Sequence, residues 1–358
     1  MSLLKLPIVE CAGDAHALGH AQGEQLRERV TAFIDQRLTA FAEYSRERGG
    51  PTVEQFLAAG AACLRVYEQW DAEGAAEHAG IAQAAGVRPD ALYAATNMTD
   101  VRDVLLLPSP QNDEGCTSLL VPPALARSSE VIVGQTWDLN PTDLDFVVAV
   151  HRRPTNGPET WSITCAGALS LTGMSADGVA VGTTNIKTRR SRIGVGYLSL
   201  LHRAIRARSA ALAAELLRGA PRAAAHTYWL ADAQGAAELE CDPETVVERR
   251  ADAAPLARTN HCLSEPMREA EGEAATASSH KRLARAQAAL AAGAQDVESL
   301  QALMRDRSDG VDSINRYTED AQGTTTNACL IAIPARLELW ACRGPADRGE
   351  WRQLRFGA

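Results

Sequence analysis

Twice along this chain the apolar pattern changes to short, β-branched, turn-bounded runs, and helix keeps the two blocks apart. The first block is CTSLLVP, EVIVGQTWD, DFVVAVHR, ETWSITCAG and the glycine-rich GMSADGVAVGTTNI, all after Cys116. The second is HTYWLADAQGAAELECDPETVVERRA with LARTNHCLS, and then ACLIAIPARLELWACR with EWRQLRF. Such runs read as strands. Tight-turn residues in DAQGA and IPARL make antiparallel hairpins the expected connection. Ahead of both blocks, Leu26, Val30, Phe33, Ile34, Leu38 and Phe41 recur at helical spacing, TVEQFLAAGAACLRVYEQW repeats the pattern, and Asp90 after Pro89 is placed to cap a helix starting near Ala91. A long amphipathic helix is expected from about Gly196 to Leu217, and further helices at about 278–306. Each sheet must bury one face, so the expected fold is α+β, with two antiparallel sheets packed together and covered by helices in an αββα layering.

Composition removes several partners. Thirty-six Lys and Arg against forty-five Asp and Glu leave a net charge of −9, which provides no basic field for a phosphate backbone, so no nucleic-acid partner is expected. The opening MSLLKLPIVECAGD is too weakly apolar for a secretory segment, and no uninterrupted 18-residue apolar run follows; a cytoplasmic protein without a membrane partner is the expectation. Eight cysteines lie at least 13 residues apart with no CxxC pair, which argues against a zinc ribbon or a thioredoxin-type site. Each is expected to be a reduced, buried, small hydrophobe unless its neighbours single it out. No metal or cofactor is implied.

Cys116 is singled out. The aperiodic stretch SPQNDE hands over to Gly115-Cys116-Thr117-Ser118 at a strand start. A thiol preceded by glycine there is either an ordinary strand cysteine or the arrangement for self-cleavage, in which a glycine turn brings the thiol onto the preceding carbonyl. An N-to-S shift and hydrolysis then free an α-amine. With a pKa of about 8, that amine takes the thiol proton near neutral pH without a histidine.

GCTS, GQTWD at 134–138, GMSADGVAVGTTN at 173–185, HTYWLADAQGAAELECDP and RTNHCL at 258–263, with CAGDAHALGHAQGEQL near the start, together resemble the penicillin acyltransferase family of cysteine N-terminal-nucleophile hydrolases over nearly the whole chain. The resemblance implies the four-layer αββα sandwich of that superfamily. It implies self-cleavage between Gly115 and Cys116 into a helical segment 1–115 and a core 116–358 that stay associated as one intertwined unit, with homo-oligomerisation left open. Cys116 resembles the nucleophile, its freed α-amine the base, and Asp138 the carboxylate that orients that amine. Asn260 resembles the donor to the tetrahedral oxyanion, worth about 3 kcal/mol at a transition state. Asn185 sits where relatives place a residue beside the same oxyanion. Ordinary alternatives are a strand-end turn for Asp138 and a turn asparagine for Asn260.

Two departures bear on substrate. Related bile-salt and penicillin V hydrolases carry arginine three residues before the aspartate; Gln135 stands there, as in the acyltransferases, and is a candidate substrate contact. The acyltransferases' late arginine before a glycine is matched only by Gln322, which cannot replace a bidentate guanidinium. Arg316 is the compensating substrate-binding candidate. His20, beside Gly19 and Gly23, reads as a packing residue, and those glycines as a close helix approach. His261 and Asn260 are adjacent and should face opposite ways. The basic run Lys187–Arg192 is either a solvated loop or the contact for an anionic substrate end.

The expected function is a self-processing amidohydrolase that cleaves a small N-acyl or peptide-like amide through an acyl-enzyme on Cys116. Acyl transfer from an amide or acyl-CoA thioester to an amine is the alternative. A homologue that has lost catalysis, or a thiol redox protein, would have to explain the retention of Gly115, Cys116, Asp138 and Asn260 together, or supply a resolving cysteine.

Overall fold

The computed structural model describes residues 3–105, 115–272, 274–320 and 323–357; Gln322 and the SPQNDE stretch lie outside the described residues. The N-terminal segment opens not on helix but on a strand, β1 (Ile8–Gly13), whose Val9 and Cys11 face inward. It is followed by α1 (Ala15–Gln25), α2 (Arg27–Glu47), α3 (Val53–Trp70), α4 (Ala72–Ala85), α5 (Pro89–Thr96) and α6 (Met98–Leu105). The glycines of α1 do allow close approach: a side chain at Gly19 or Gly23 would run into the backbone of α4 at Glu77 and Ile81. His20 does not pack there; it is exposed. Nor does Asp90 cap α5. Pro89 takes the first helical position, where its missing N–H costs nothing, and Asp90 pairs with Arg88 at the same end.

Strands β2 (Thr117–Val121), β3 (Ile132–Leu139), β4 (Val147–Pro154), β5 (Thr160–Cys165), β6 (Thr172–Ser175) and β7 (Ala180–Asn185) follow. The helix expected over 196–217 is two, α7 (Tyr197–Ala204) and α8 (Ala210–Arg218), because Ser209 leaves helical geometry and caps α8 by accepting from the Leu212 amide at 3.2 Å. Then come β8 (His226–Asp232), β9 (Gly235–Cys241), β10 (Val246–Arg250), β11 (Leu256–Arg258), α9 (Glu265–Arg268), α10 (Ala277–Ala291), α11 (Val297–Met304), β12 (Thr325–Ile333), β13 (Glu338–Arg343) and β14 (Arg352–Leu354).

Among the described residues these strands form one eight-stranded sheet, ordered β1-β4-β5-β6-β7-β8-β9-β10, and one six-stranded sheet, ordered β11-β2-β3-β12-β13-β14. All pairings are antiparallel except β1 with β4. The sheets face each other, β2 and β3 lying over β7. Helices α10 and α11 cover the six-stranded sheet, and α1, α7 and α8 cover the eight-stranded one. The architecture is therefore the expected αββα sandwich, with one parallel edge added by the N-terminal strand. Leu120, Val133 and Trp137 of one sheet share a core with Val148, Val181 and Trp229 of the other, and Val30, Phe33, Ile81 and Tyr93 from before position 116 belong to the same cluster.

Gln135 ties the sheets together. Its Oε1 accepts from Trp229 Nε1 at 2.6 Å and from the Thr183 amide at 3.0 Å, and its Nε2 donates to the Thr183 carbonyl at 2.7 Å. The side chain expected to contact substrate is thus engaged between β3 and the β7–β8 pair.

Candidate active site

Cys116 immediately precedes β2, the second strand of the six-stranded sheet, so a centrally placed strand fixes the position of its thiol. The thiol donates to the Asp138 carbonyl at 3.9 Å, and the Gly115 amide donates to that same carbonyl at 3.4 Å. Gly115 has no positive φ. Glycine is needed there for space rather than for a left-handed turn, because a Cβ would sit 2.6 Å from Nη1 of Arg316. That guanidinium cannot easily yield: it donates to Thr324 Oγ1 at 2.5 Å and to Ser278 Oγ, and its Nε lies 3.8 Å from Asp138 Oδ2. Arg316, expected against substrate, packs on the Gly115–Cys116 peptide and is not among the residues lining the cavity beside the thiol.

Cys116, Asp138, Asn185, His226, Thr183 and Tyr197 line one cavity of about 20 Å³ between the sheets, room for about one water. Two of these carry polar atoms that are buried and without a hydrogen-bond partner among the described residues, both side-chain atoms of Asn185 and Nδ1 of His226, and Asp138 buries its carboxyl beside them. Groups of that kind are normally satisfied, and their convergence beside a thiol marks a place built to receive something. Burial pushes the Asp138 carboxyl up to about 6, against the pull of Arg316 and Arg282 and the hydroxyls of Thr326 and Thr136.

Asn260 stands one layer back. Its Nδ2 donates to the Asn185 carbonyl at 3.0 Å, while its Oδ1 accepts from Arg282 Nη2 at 3.1 Å. Arg282, which sequence reasoning missed, is fully buried on α10 and also donates to the Cys116 carbonyl and, at 3.0 Å, to Thr117 Oγ1. Burial and the nearby Arg316 lower its pKa to about 9, so it stays cationic at neutral pH beside the Cys116 carbonyl. Its signal was present in the sequence: Ser278, Arg282, Ala286 and Leu290 recur every four residues on the buried stripe of α10. His261 turns away, bonding Ser279 Oγ at 2.8 Å, and burial lowers its pKa to about 4.

A second cavity, of about 140 Å³, adjoins the first through the shared residues Thr99 and Leu139. It is lined by three cations, Arg37, Arg102 and Lys187, and by no carboxylate among its described residues, although Arg37 pairs with Asp143 at 2.6 Å and Arg102 with Asp103 at 3.2 Å. The basic run is therefore divided. Lys187 lies buried in this cavity, while Arg190 and Arg192 bind the 242–245 turn, Arg190 at the Thr245 hydroxyl and Arg192 at the Pro243 carbonyl. All eight cysteines are buried and reduced. Among the described residues no cluster of His, Cys, Asp or Glu is arranged to hold a metal ion, and no helix is long and apolar enough to cross a membrane.

Two facing sheets between helical layers give the αββα layering of the N-terminal-nucleophile hydrolase fold. Within that class, the profile of the acyl-coenzyme A:6-aminopenicillanic acid acyl-transferase family matches residues 125–347, more than half of the sequence, and the chain belongs to that family. Among solved structures, it is similar to penicillin V acylase from Agrobacterium tumefaciens, at 11% identity and a TM-score of 0.38, over 67% of this chain and 86% of that one. It is also similar to a variant of conjugated bile acid hydrolase from Clostridium perfringens, at 9% identity and a TM-score of 0.41, over 68% and 97%. No curated protein matches the sequence.

Proposed function

We propose that this protein is a cysteine amidohydrolase that activates itself by cleaving the Gly115–Cys116 bond and then hydrolyses small N-acyl amides through an acyl-enzyme on Cys116. The observation that carries the reading is the cavity in which the thiol meets the buried Asp138 carboxyl and the unpartnered Asn185 amide, with Arg316 packed on the peptide to be cut. In processing, Sγ attacks the Gly115 carbonyl, the C–N bond breaks as the Cys116 nitrogen takes up a proton, and water hydrolyses the resulting thioester. The freed α-amine then accepts the thiol proton, and Asp138 holds the ammonium. In turnover the thiolate attacks the substrate amide, the Asn185 Nδ2 donates to the oxyanion, and the α-ammonium returns its proton to the leaving amine. Asn260, clamped by Arg282, fixes the strand end that carries Asn185.

The cationic second cavity supports a substrate with an anionic end beyond the scissile bond. The family's description favours a second reading, in which an amine rather than water receives the acyl group. The test is to incubate processed protein with octanoyl p-nitrophenyl ester and map the adduct by peptide mass. An octanoyl group on Cys116, together with a loss of about a hundred-fold or more in turnover for Asn185→Ala, supports the reading. Acylation of any other residue contradicts it.

A further inference from the structure

In the pairing of β7 with β8, Asn185 lies directly opposite His226, and opposed residues of an antiparallel pair present their side chains on the same face. Both line the cavity of Cys116, which enters from the other sheet. The imidazole is held as a catalytic one would be. Its Nε2 is 2.6 Å from Asp100 Oδ1, and it stacks on Tyr197 at 4.6 Å between ring centroids. Asp100 is itself fixed, its Oδ2 accepting from the Tyr197 amide at 2.8 Å at the N-terminus of α7, where the helix dipole favours an anion. A carboxylate on Nε2 requires the proton on that nitrogen, which leaves Nδ1 as a basic lone pair. That Nδ1 is buried and has nothing to accept from among the described residues. Tyr228 also faces the ring, with centroids 5.9 Å apart, and Asn185 lies beside it across the strand pair.

Resting on the assignment of Cys116 as the nucleophile, we infer that His226, oriented by Asp100, is the base that activates the acceptor in the second half-reaction. The α-amine is tied to the residue that carries the sulfur, whereas His226 stands on the facing sheet, with the acyl carbonyl between them. Water attacks the thioester carbon. An O–C bond forms while one O–H proton passes to Nδ1, and the C–S bond then breaks with its electron pair going to sulfur. The imidazolium gives its proton back to the thiolate, so that acid and free thiol are the products. The α-amine serves acylation and His226 serves deacylation.

Octanoyl p-nitrophenyl ester separates the two halves in processed enzyme, since the burst of p-nitrophenol reads acylation and the steady rate reads deacylation. His226→Gln keeps a donor toward Asp100 and removes the base. It is expected to leave the burst rate intact and to lower the steady rate about a hundred-fold, with loss of the solvent deuterium effect on the steady phase. Asp100→Asn, which reverses the tautomer, is expected to give the same split and serves if the histidine variant does not fold. Burst and steady rate falling together in the folded variants, or neither changing, overturns the inference while leaving Cys116 in place. An octanoyl adduct mapped to a residue other than Cys116 overturns the Cys116 assignment and the inference with it.

Discussion

Asp138 is the residue whose chemistry is most at odds with its surroundings. It is a fully buried carboxyl pushed up to about 6 by its burial, in spite of the nearby Arg316 and Arg282. The native state therefore holds a proton between about pH 4 and 6 that the unfolded chain has already released, so ionising Asp138 costs stability as pH rises through that window. Asp138→Asn removes the cost. In urea unfolding of the uncleaved Cys116→Ala chain, which frees no α-amine to sit against the carboxyl, adding Asp138→Asn is expected to raise stability progressively from pH 4 to 6 and to keep that gain above it; comparing the two cancels the similar upward shift of Asp143. A stability difference independent of pH would contradict this. The glycine-cysteine step at a strand start drew attention to Cys116 in the sequence, whereas Asp138 and Asn185 were singled out only through the family resemblance. The reason for Gly115 was not legible, because it depends on Arg316, which arrives from 201 positions along the chain by tertiary packing. For the same reason, nothing local distinguishes His226 from a strand histidine.

The clamp between β3 and the β7–β8 pair explains how two sheets from different parts of the chain keep the cavity walls in register. Gln135→Leu would leave the Thr183 amide and carbonyl and the Trp229 indole N–H buried and unpaired. Each such group costs about 1–3 kcal/mol, so a loss of about 3 kcal/mol in urea-measured stability is expected, and a near-neutral variant would refute the clamp. At this scale periodicity showed most elements and missed those set by distant partners. β1 alternates over only six residues and becomes a strand because β4 pairs with it. The apolar stripe from Tyr197 to Leu217 is continuous enough to suggest one helix, yet a single serine cap divides it.

Across the whole molecule, the cut expected at position 116 would not separate two bodies. Val30, Phe33, Ile81 and Tyr93 share one core with Val148 and Trp229, β1 belongs to the large sheet, and Asp100 of the N-terminal segment holds His226 of the core. The order of strand blocks made the layered fold legible. That the N-terminal segment furnishes a strand and part of the site wall was not legible, because both arise from contacts more than a hundred residues apart. The account stands on Cys116 becoming the N-terminus of a fragment, and intact mass under denaturing conditions tests this most directly. Freshly purified wild-type protein should give two species, with masses of residues 1–115 and 116–358, and Cys116→Ala should give one chain of full length. Cleavage at another bond, cleavage of the alanine variant at this one, or an active wild type that remains a single intact chain would contradict it.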